Sequence, residues 1–283
     1  MTTEIRNDSS LRGKVRAISK KHGLRAQEVL NMYLFEHLLL RLSRSNYADK
    51  FILKGGMLIA AITGMARRTT MDMDATVTGI DMDEESVREA VRDICAVRID
   101  DGMEYELKRI APIHDEGEYA NWRAHIRVRY GRIDAPLKLD ITTGDAITPR
   151  QVEFNYPLML DGGTVGVLSY PLVTILAEKL ETVVRRGSGN TRGRDFYDIF
   201  TFMRTKRDSI DVDLLKQALD ATASKRGSTN LMADYAARIE EVRASDAMAR
   251  VWERYVKDTP YARGIEFNEV VDAALELGNM AMK

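Results

Sequence analysis

With a single cysteine, Cys95, among its 283 residues, the chain can form no internal disulfide. That cysteine falls among Val87, Ala90, Val91 and Ile94 at helical spacing, which predicts a small core side chain rather than a nucleophile. Neither sign of charge is in excess. Forty-two basic residues against 43 acidic ones give a formal net charge of −1, so any binding to nucleic acid must come from a local patch rather than a global field. No uninterrupted apolar stretch approaches the roughly 20 residues of a membrane span, and the opening MTTEIRNDSSLRGK holds no apolar run of signal-peptide type. A cytoplasmic protein with no membrane partner is the expectation. Prolines number six, and no repeat or low-complexity tract is present. What is there, 45% hydrophobic and 30% charged residues, is the composition of an ordinary soluble globular protein. Its length suffices for one large domain or two modest ones, each with its own core.

Hydrophobic periodicity divides the chain. Helices are expected over 11–21 and 25–44, the second with an apolar face through Val29, Met32, Tyr33, Phe35, Leu38, Leu39 and Leu42. A short strand over 51–53 is broken by Gly55-Gly56, and a helix resumes over 57–63. Alternating segments then predict strands over 71–77, 104–110, 122–130, 137–142 and 164–168, with one helix over 84–98. After Pro171 the pattern is helical throughout, over 172–186, 194–204, 212–223, 231–242, 246–256 and 265–282. The fold class expected is α+β. It divides into an N-terminal lobe over 1–169 (a helical lead-in over 1–48, a mixed sheet over 49–169) and a helical C-terminal lobe over 170–283.

The most informative stretch runs from Phe51 to Asp74. Gly55-Gly56 lies between a strand and a helix, where missing Cβ atoms let a phosphate approach backbone N–H groups at a helix N-terminus. Asp72 and Asp74 are two apart on an expected strand, so their carboxylates share a face, while Met71, Met73 and Ala75 point the other way towards a core. Two adjacent carboxylates repel, and a divalent cation is the usual remedy; Mg²⁺ or Mn²⁺ takes such oxygen ligands and keeps positions open for triphosphate oxygens. In Leu137 to Thr142 the alternation puts Asp140 on the polar face. If that strand neighbours the first, Asp140 completes a three-carboxylate cluster suited to two-metal nucleotidyl transfer. The plain alternative is a solvated strand face, against which stands the depletion of aspartate in strands.

Further along, Lys179 borders the apolar stripe Leu172, Leu176, Leu180 and Val183. Either it snorkels to water or it brings a point charge to triphosphate oxygens. Arg185, Arg186, Arg192 and Arg194 fall within ten residues with no acid among them, as in a flexible basic loop that grips RNA phosphates, or as in a plain solvated helix connection. The glycines of this stretch match neither a P-loop nor a dinucleotide fingerprint. Asp195 and Asp198 open the next helix, a placement the helix dipole alone favours. Arg123, His125, Arg127 and Arg129 share a strand face; either they form a nucleic-acid groove or they pair across strands with Glu104 and Glu106. His22, His37 and His114 show no metal-ligand spacing, which argues against zinc.

Four motifs in order, Lys54-Gly-Gly, Arg68-x-Thr70-x-Asp72-x-Asp74, Ala177-Glu-Lys179-Leu and Arg194-Asp-Phe-Tyr-Asp198, resemble the AbiEii/AbiGii toxin family. These are the nucleotidyltransferase-like toxins of type IV toxin–antitoxin systems, the mycobacterial MenT toxins among them. The resemblance spans about residues 48–205 and implies a DNA polymerase β-type nucleotidyltransferase fold with a helical second lobe. It implies that Asp72 and Asp74 bind metal, and that Lys54, Gly55, Gly56, Arg68 and Thr70 form the nucleotide site. Lys179 would contact the nucleotide, and Asp195 or Asp198 would be needed for activity. The substrate implied is an NTP, the acceptor the 3′ end of a tRNA, and the partner a repressor-like antitoxin that need not bind directly. The chain departs from the family in one place: Met57 follows Gly-Gly where the family often carries a hydroxyl, and Thr69 or Thr70 is the available substitute. Two rival functions are an acceptor that is a small molecule or a protein hydroxyl, and an inactive nucleotide- or RNA-binding module.

Overall fold

A computed structural model of the chain describes residues 7–113 and 121–282; His114 lies outside the described residues. Helix α1 (Asp8–His22) starts on a reciprocal cap. The Asn7 side chain accepts the Ser10 N–H at 2.9 Å while the Ser10 hydroxyl accepts the Asn7 N–H at 3.3 Å. Helix α2 (Ala26–Leu42) is buried along most of its length, Val29, Leu34, Phe35, Leu38 and Leu39 being almost wholly so. It packs on the sheet and on α4.

Seven strands form one mixed sheet: β1 (Phe51–Lys54), β2 (Met73–Val77), β3 (Glu104–Ile113), β4 (Asn121–Tyr130), β5 (Ile133–Thr142), β6 (Val152–Pro157) and β7 (Thr164–Ser169), in the order β3-β4-β5-β2-β1-β7-β6. β2 runs parallel to β5 and β1 parallel to β7, and the other neighbours are antiparallel. Helices α3 (Gly55–Thr63) and α4 (Glu84–Ala96) complete the unit. Cys95 is buried on α4, and burial pushes its thiol up to about 12, as a core residue would have it.

Three strands depart from the periodicity. β2 starts at Met73, so Asp72 lies in the bend ahead of it and Met71, expected in the core, is 43% exposed. β5 starts four residues early, at Ile133, because Gly131-Arg132 closes a two-residue hairpin with β4. β6 has no counterpart among the expected strands. It is an edge strand ending in Pro157, with only Phe154 and Tyr156 turned even partly inward.

The chain divides into two compact units, Met1–Gly144 with Val152–Ser169, and Asp145–Gln151 with Tyr170–Lys283. The second holds α5 (Leu172–Arg186), α6 (Gly193–Thr205), α7 (Val212–Lys225), α8 (Thr229–Ala233), α9 (Tyr235–Arg243), α10 (Asp246–Asp258) and α11 (Phe267–Met282). The single helix expected over 231–242 is thus two, parted at Asp234. Helix α5 is the unit's axis. It packs against α6, α7, α8, α9 and α11, with Leu176, Leu180, Val183 and Val184 fully buried. No helix among the described residues is long and apolar enough to cross a membrane.

Candidate active site

Four charged residues form one row across four neighbouring strands of the sheet unit. Lys54 on β1 is the Cα partner of Asp74 on β2, Asp74 of Asp140 on β5, and Asp140 of Arg123 on β4. Directly opposed residues share a sheet face, so the row reads plus, minus, minus, plus. The pairing of β2 with β5 that would bring Asp74 beside Asp140 is therefore present. Asp72 lies half-buried just ahead of β2, and its charge, like that of Asp74, reaches Arg123.

The turn from β1 into α3 sits directly under this row. Gly55 has φ 65°, and a Cβ there would lie 2.1 Å from Asp74 Oδ2. Glycine is required twice over, by the left-handed backbone and by the carboxylate lying on it. A Cβ on Gly56 would come within 2.8 Å of the Thr70 Cβ and Oγ1, and 3.4 Å of an Arg68 guanidinium nitrogen. Lys54, the N-cap residue of α3, makes no side-chain cap hydrogen bond, and Thr70 and the buried Arg68 gather over Gly56 at the start of that helix. That is how an anion site is made. Arg68 also donates to the Thr69 carbonyl. The Thr70 hydroxyl donates to the Asp72 carbonyl at 3.0 Å and accepts the Asp72 N–H at 3.4 Å, which fixes the bend carrying Asp72. Met57 is fully buried, so a hydroxyl at that position would face the core. Thr69 is buried as well and donates to Glu28 at 2.9 Å. Of the two threonines, only Thr70 lies over Gly56.

At the far end of the row Arg123 is forked on Asp140, Nε to Oδ1 and Nη2 to Oδ2, both at 2.6 Å. These hydrogen bonds, with the charges of Asp140, Asp72 and Asp74, hold its guanidinium pKa well above the ordinary value. Lys54 Nζ donates to the Thr142 hydroxyl at 2.6 Å. Among the described residues no group of three or more His, Cys, Asp or Glu side chains is arranged to hold a metal ion. The donors present fit a hard divalent cation in another way. Asp72 and Asp74 offer carboxylate oxygens two residues apart, beside the start of α3. Of the other arginines on β4, Arg127 forks onto Asp134 at 2.5 Å and Arg129 reaches Glu106 at 3.8 Å. The cross-strand reading of that face holds for Arg129, while Arg123 and Arg127 pair with aspartates of β5.

In the helical unit Lys179 Nζ lies 2.6 Å from Asp195 Oδ1 and 2.9 Å from Asp198 Oδ2, with both carboxylates buried. The ammonium therefore does not snorkel to water, and the two aspartates do more than decorate a helix start: together they clamp one lysine. The i, i+3 spacing of Asp195 and Asp198 was the sequence signal for that clamp. Only residues 190–192 of the basic stretch, Arg192 among them, lie outside helical structure. α5 runs through Arg186, residues 187–189 make one 3-10 turn, and α6 begins at Gly193. Arg185 is spent on Glu181 at 2.8 Å and Arg186 is half-buried, whereas the side chains of Arg192 and Arg194 are exposed.

The model of the family described as "Nucleotidyl transferase AbiEii toxin, Type IV TA system" matches residues 37–276. No curated protein matches the chain. Among solved structures, MenT4, a nucleotidyltransferase toxin from Mycobacterium tuberculosis H37Rv, superposes with a TM-score of 0.54 at 19% identity, covering 96% of this chain and 98% of that one. JHP933 from Helicobacter pylori gives a TM-score of 0.47 at 18% identity, covering 88% and 90%.

Proposed function

The chain belongs to the AbiEii nucleotidyltransferase toxins of type IV toxin–antitoxin systems, and from that premise we propose that it transfers an NMP from an NTP to the 3′ end of a tRNA, in the cytoplasm, so stopping translation. Membership itself brings the NTP and a cognate antitoxin; the acceptor, the metal and the residue roles are our reading. The observation that carries it is the Asp74 carboxylate lying on Gly55 at the start of α3, with Asp72 two residues ahead of it. We assign the sheet unit a DNA polymerase β-type transferase core and the helical unit its second lobe.

In this reading Gly55, Gly56, Arg68 and Thr70 receive the triphosphate, and Lys54 steadies Asp74 from the neighbouring strand. A divalent cation, Mg²⁺ or Mn²⁺, held by Asp72 and Asp74 would neutralise phosphate charge and polarise the α-phosphate. The acceptor hydroxyl oxygen bonds to the α-phosphorus, and its proton passes to solvent water. The bond to the β-phosphate breaks, and pyrophosphate leaves with that electron pair. Lys179, held in place by Asp195 and Asp198, is assigned the nucleotide contact that the family resemblance implies. Arg192 and Arg194, with Arg186 behind them, are the groups we assign to RNA phosphates; Arg185 serves its helix through Glu181.

The test is direct. The protein is incubated with Mg²⁺ or Mn²⁺, each α-labelled NTP in turn, and total RNA, alongside Asp72→Ala. Label in RNA of tRNA size, absent with Asp72→Ala, is the expected result. Label found only in protein or small molecules would overturn the tRNA acceptor, and unimpaired transfer by Asp72→Ala would overturn the site.

A further inference from the structure

The row Lys54–Asp74–Asp140–Arg123 has one feature that a metal site built from Asp72, Asp74 and Asp140 together does not need. Asp140 is held through both of its carboxylate oxygens by a partner fixed in register on the neighbouring strand. Both oxygens of Asp140 are taken by Arg123 at 2.6 Å, in the bidentate geometry that is the strongest of the ordinary ion pairs. Backbone register fixes that fork, since Arg123 and Asp140 are directly opposed on β4 and β5. Within the fork each oxygen of Asp140 accepts one guanidinium N–H. The three carboxylates accordingly do not converge as a metal-holding group, although Asp74 and Asp140 are themselves opposed in register.

Resting on the transferase reading above, we propose that Arg123 is a positioning residue that withholds Asp140 from metal. The site then takes one divalent ion, on Asp72 and Asp74, and the guanidinium stands as the resident cation where a second ion would bind. The physical basis is competition. A guanidinium and a divalent cation seek the same two oxygens, and a fork that costs nothing to assemble in the folded sheet excludes an ion that must shed water to enter. Arg123 also lowers the negative potential that Asp72 and Asp74 present, because its charge interacts with both. The arrangement therefore sets the number of ions and moderates the affinity of the first.

The experiment is calorimetric titration of the nucleotide-free protein with Mn²⁺, for wild type, Arg123→Gln, Asp140→Asn and Asp72→Asn, with unfolding temperatures recorded for each. Wild type is expected to bind one Mn²⁺ per chain. Arg123→Gln frees Asp140 and should bind two, the first on the order of tenfold more tightly once the nearby positive charge is gone. Asp140→Asn should still bind one. If Arg123→Gln does not fold, Asp140→Asn decides alone, because a site that uses Asp140 must lose an ion in that variant. Two ions on wild type, one on Asp140→Asn, or no change in stoichiometry with Arg123→Gln, would overturn the proposal while leaving the transferase reading standing. Wild-type binding that survives Asp72→Asn unchanged would overturn the placement of metal on Asp72, and the proposal with it.

Discussion

In the sheet unit His37 is gripped between Asp101 at 2.7 Å and Asp161 at 2.9 Å, with Arg41 forked on Asp101; the His37, Arg41 and Asp101 side chains are no more than 8% exposed. Two carboxylates meet two bases there. On the same unit Asp74 and Asp140 are flanked in register by Lys54 and Arg123, Asp72 lies just ahead of that row, and Asp72 and Asp74 are half-exposed. The residue types are alike and the balance is not. Matched charges taken out of water must keep all their partners, since losing one strands another. A surplus of carboxylate left open to solvent tolerates its own repulsion and can be relieved from outside by a cation. The first cluster ties α2 to distant chain segments; the second is the one to which we assign a ligand.

Substitution should split the two clusters along that line. The largest effect expected is on activity. Asp74→Asn should abolish nucleotidyl transfer in the labelled-NTP assay, yet shift the unfolding temperature little, because the half-exposed amide keeps the carboxylate's shape beside Gly55. A drop in both together would put Asp74 among the structural charges. Asp101→Ala is the reverse case. It strands Arg41 and His37 in the interior and should cost about 3–5 kcal/mol of stability by denaturant titration. A cost near zero would erase the distinction drawn here.

The balanced cluster also carries a pH signature, through its neighbour Glu36. Burial raises the Glu36 pKa to about 8, against the opposing pull of the Met159 N–H that it accepts. Burial lowers the His37 imidazole, but the hydrogen bonds and charges of Asp101 and Asp161 outweigh it, and its pKa rises. Both groups are raised above their unfolded values, so each contributes stability present at lower pH and lost as pH climbs. For Glu36 the window runs from 4.5 to about 8; for His37 it begins at 6.5 and continues through its raised folded value. Asp101 and Asp161 work the other way, being lowered, so their contribution is lost below the usual carboxylate range. Glu36→Gln keeps an acceptor for the Met159 N–H and removes the charge. Its unfolding free energy should match wild type near pH 4.5 and exceed it at pH 8. Parallel pH curves for the two proteins would show that Glu36 does not titrate in that range.

Much of this was legible in the sequence, and what was hidden had physical causes. Period-two alternation placed Asp74 and Asp140 on polar strand faces, and the helix periods of α2 and α5 stood out because their apolar faces are long. Alternation alone starts β5 at Leu137 and hides the β4–β5 hairpin, so it offers Arg123 only Glu104 and Glu106 or a nucleic acid as partners. The signal was present in the two-residue turn Gly131-Arg132, with φ 55° at Gly131. Pairing outward from Tyr130 and Ile133 brings Arg123 opposite Asp140. No such counting finds His37 with Asp101 and Asp161, which are 64 and 124 residues away along the chain. Lys179 with Asp195 and Asp198 falls between these cases, since both spacings were visible but only packing joins the two helices.

The smallest effect expected concerns how the open cluster is held. Thr70 acts on Asp72 through the main chain. It grips the Asp72 backbone, donating to the carbonyl and accepting the N–H, and it does so over Gly56. Thr70→Val keeps the shape and removes both hydrogen bonds, so the bend ahead of β2 loses its brace while the sheet is untouched. Mn²⁺ affinity should fall about tenfold, in the range found when an outer partner of a metal ligand is removed. The unfolding free energy should fall by about 1 kcal/mol. The control is Met57→Thr, which puts a hydroxyl where the family often carries one. That position is fully buried here, so the substitution should give no gain in NTP affinity and should lose stability instead. Tighter NTP binding by Met57→Thr, with Thr70→Val unimpaired, would move the hydroxyl's role from position 70 to position 57 and undo the account of this turn.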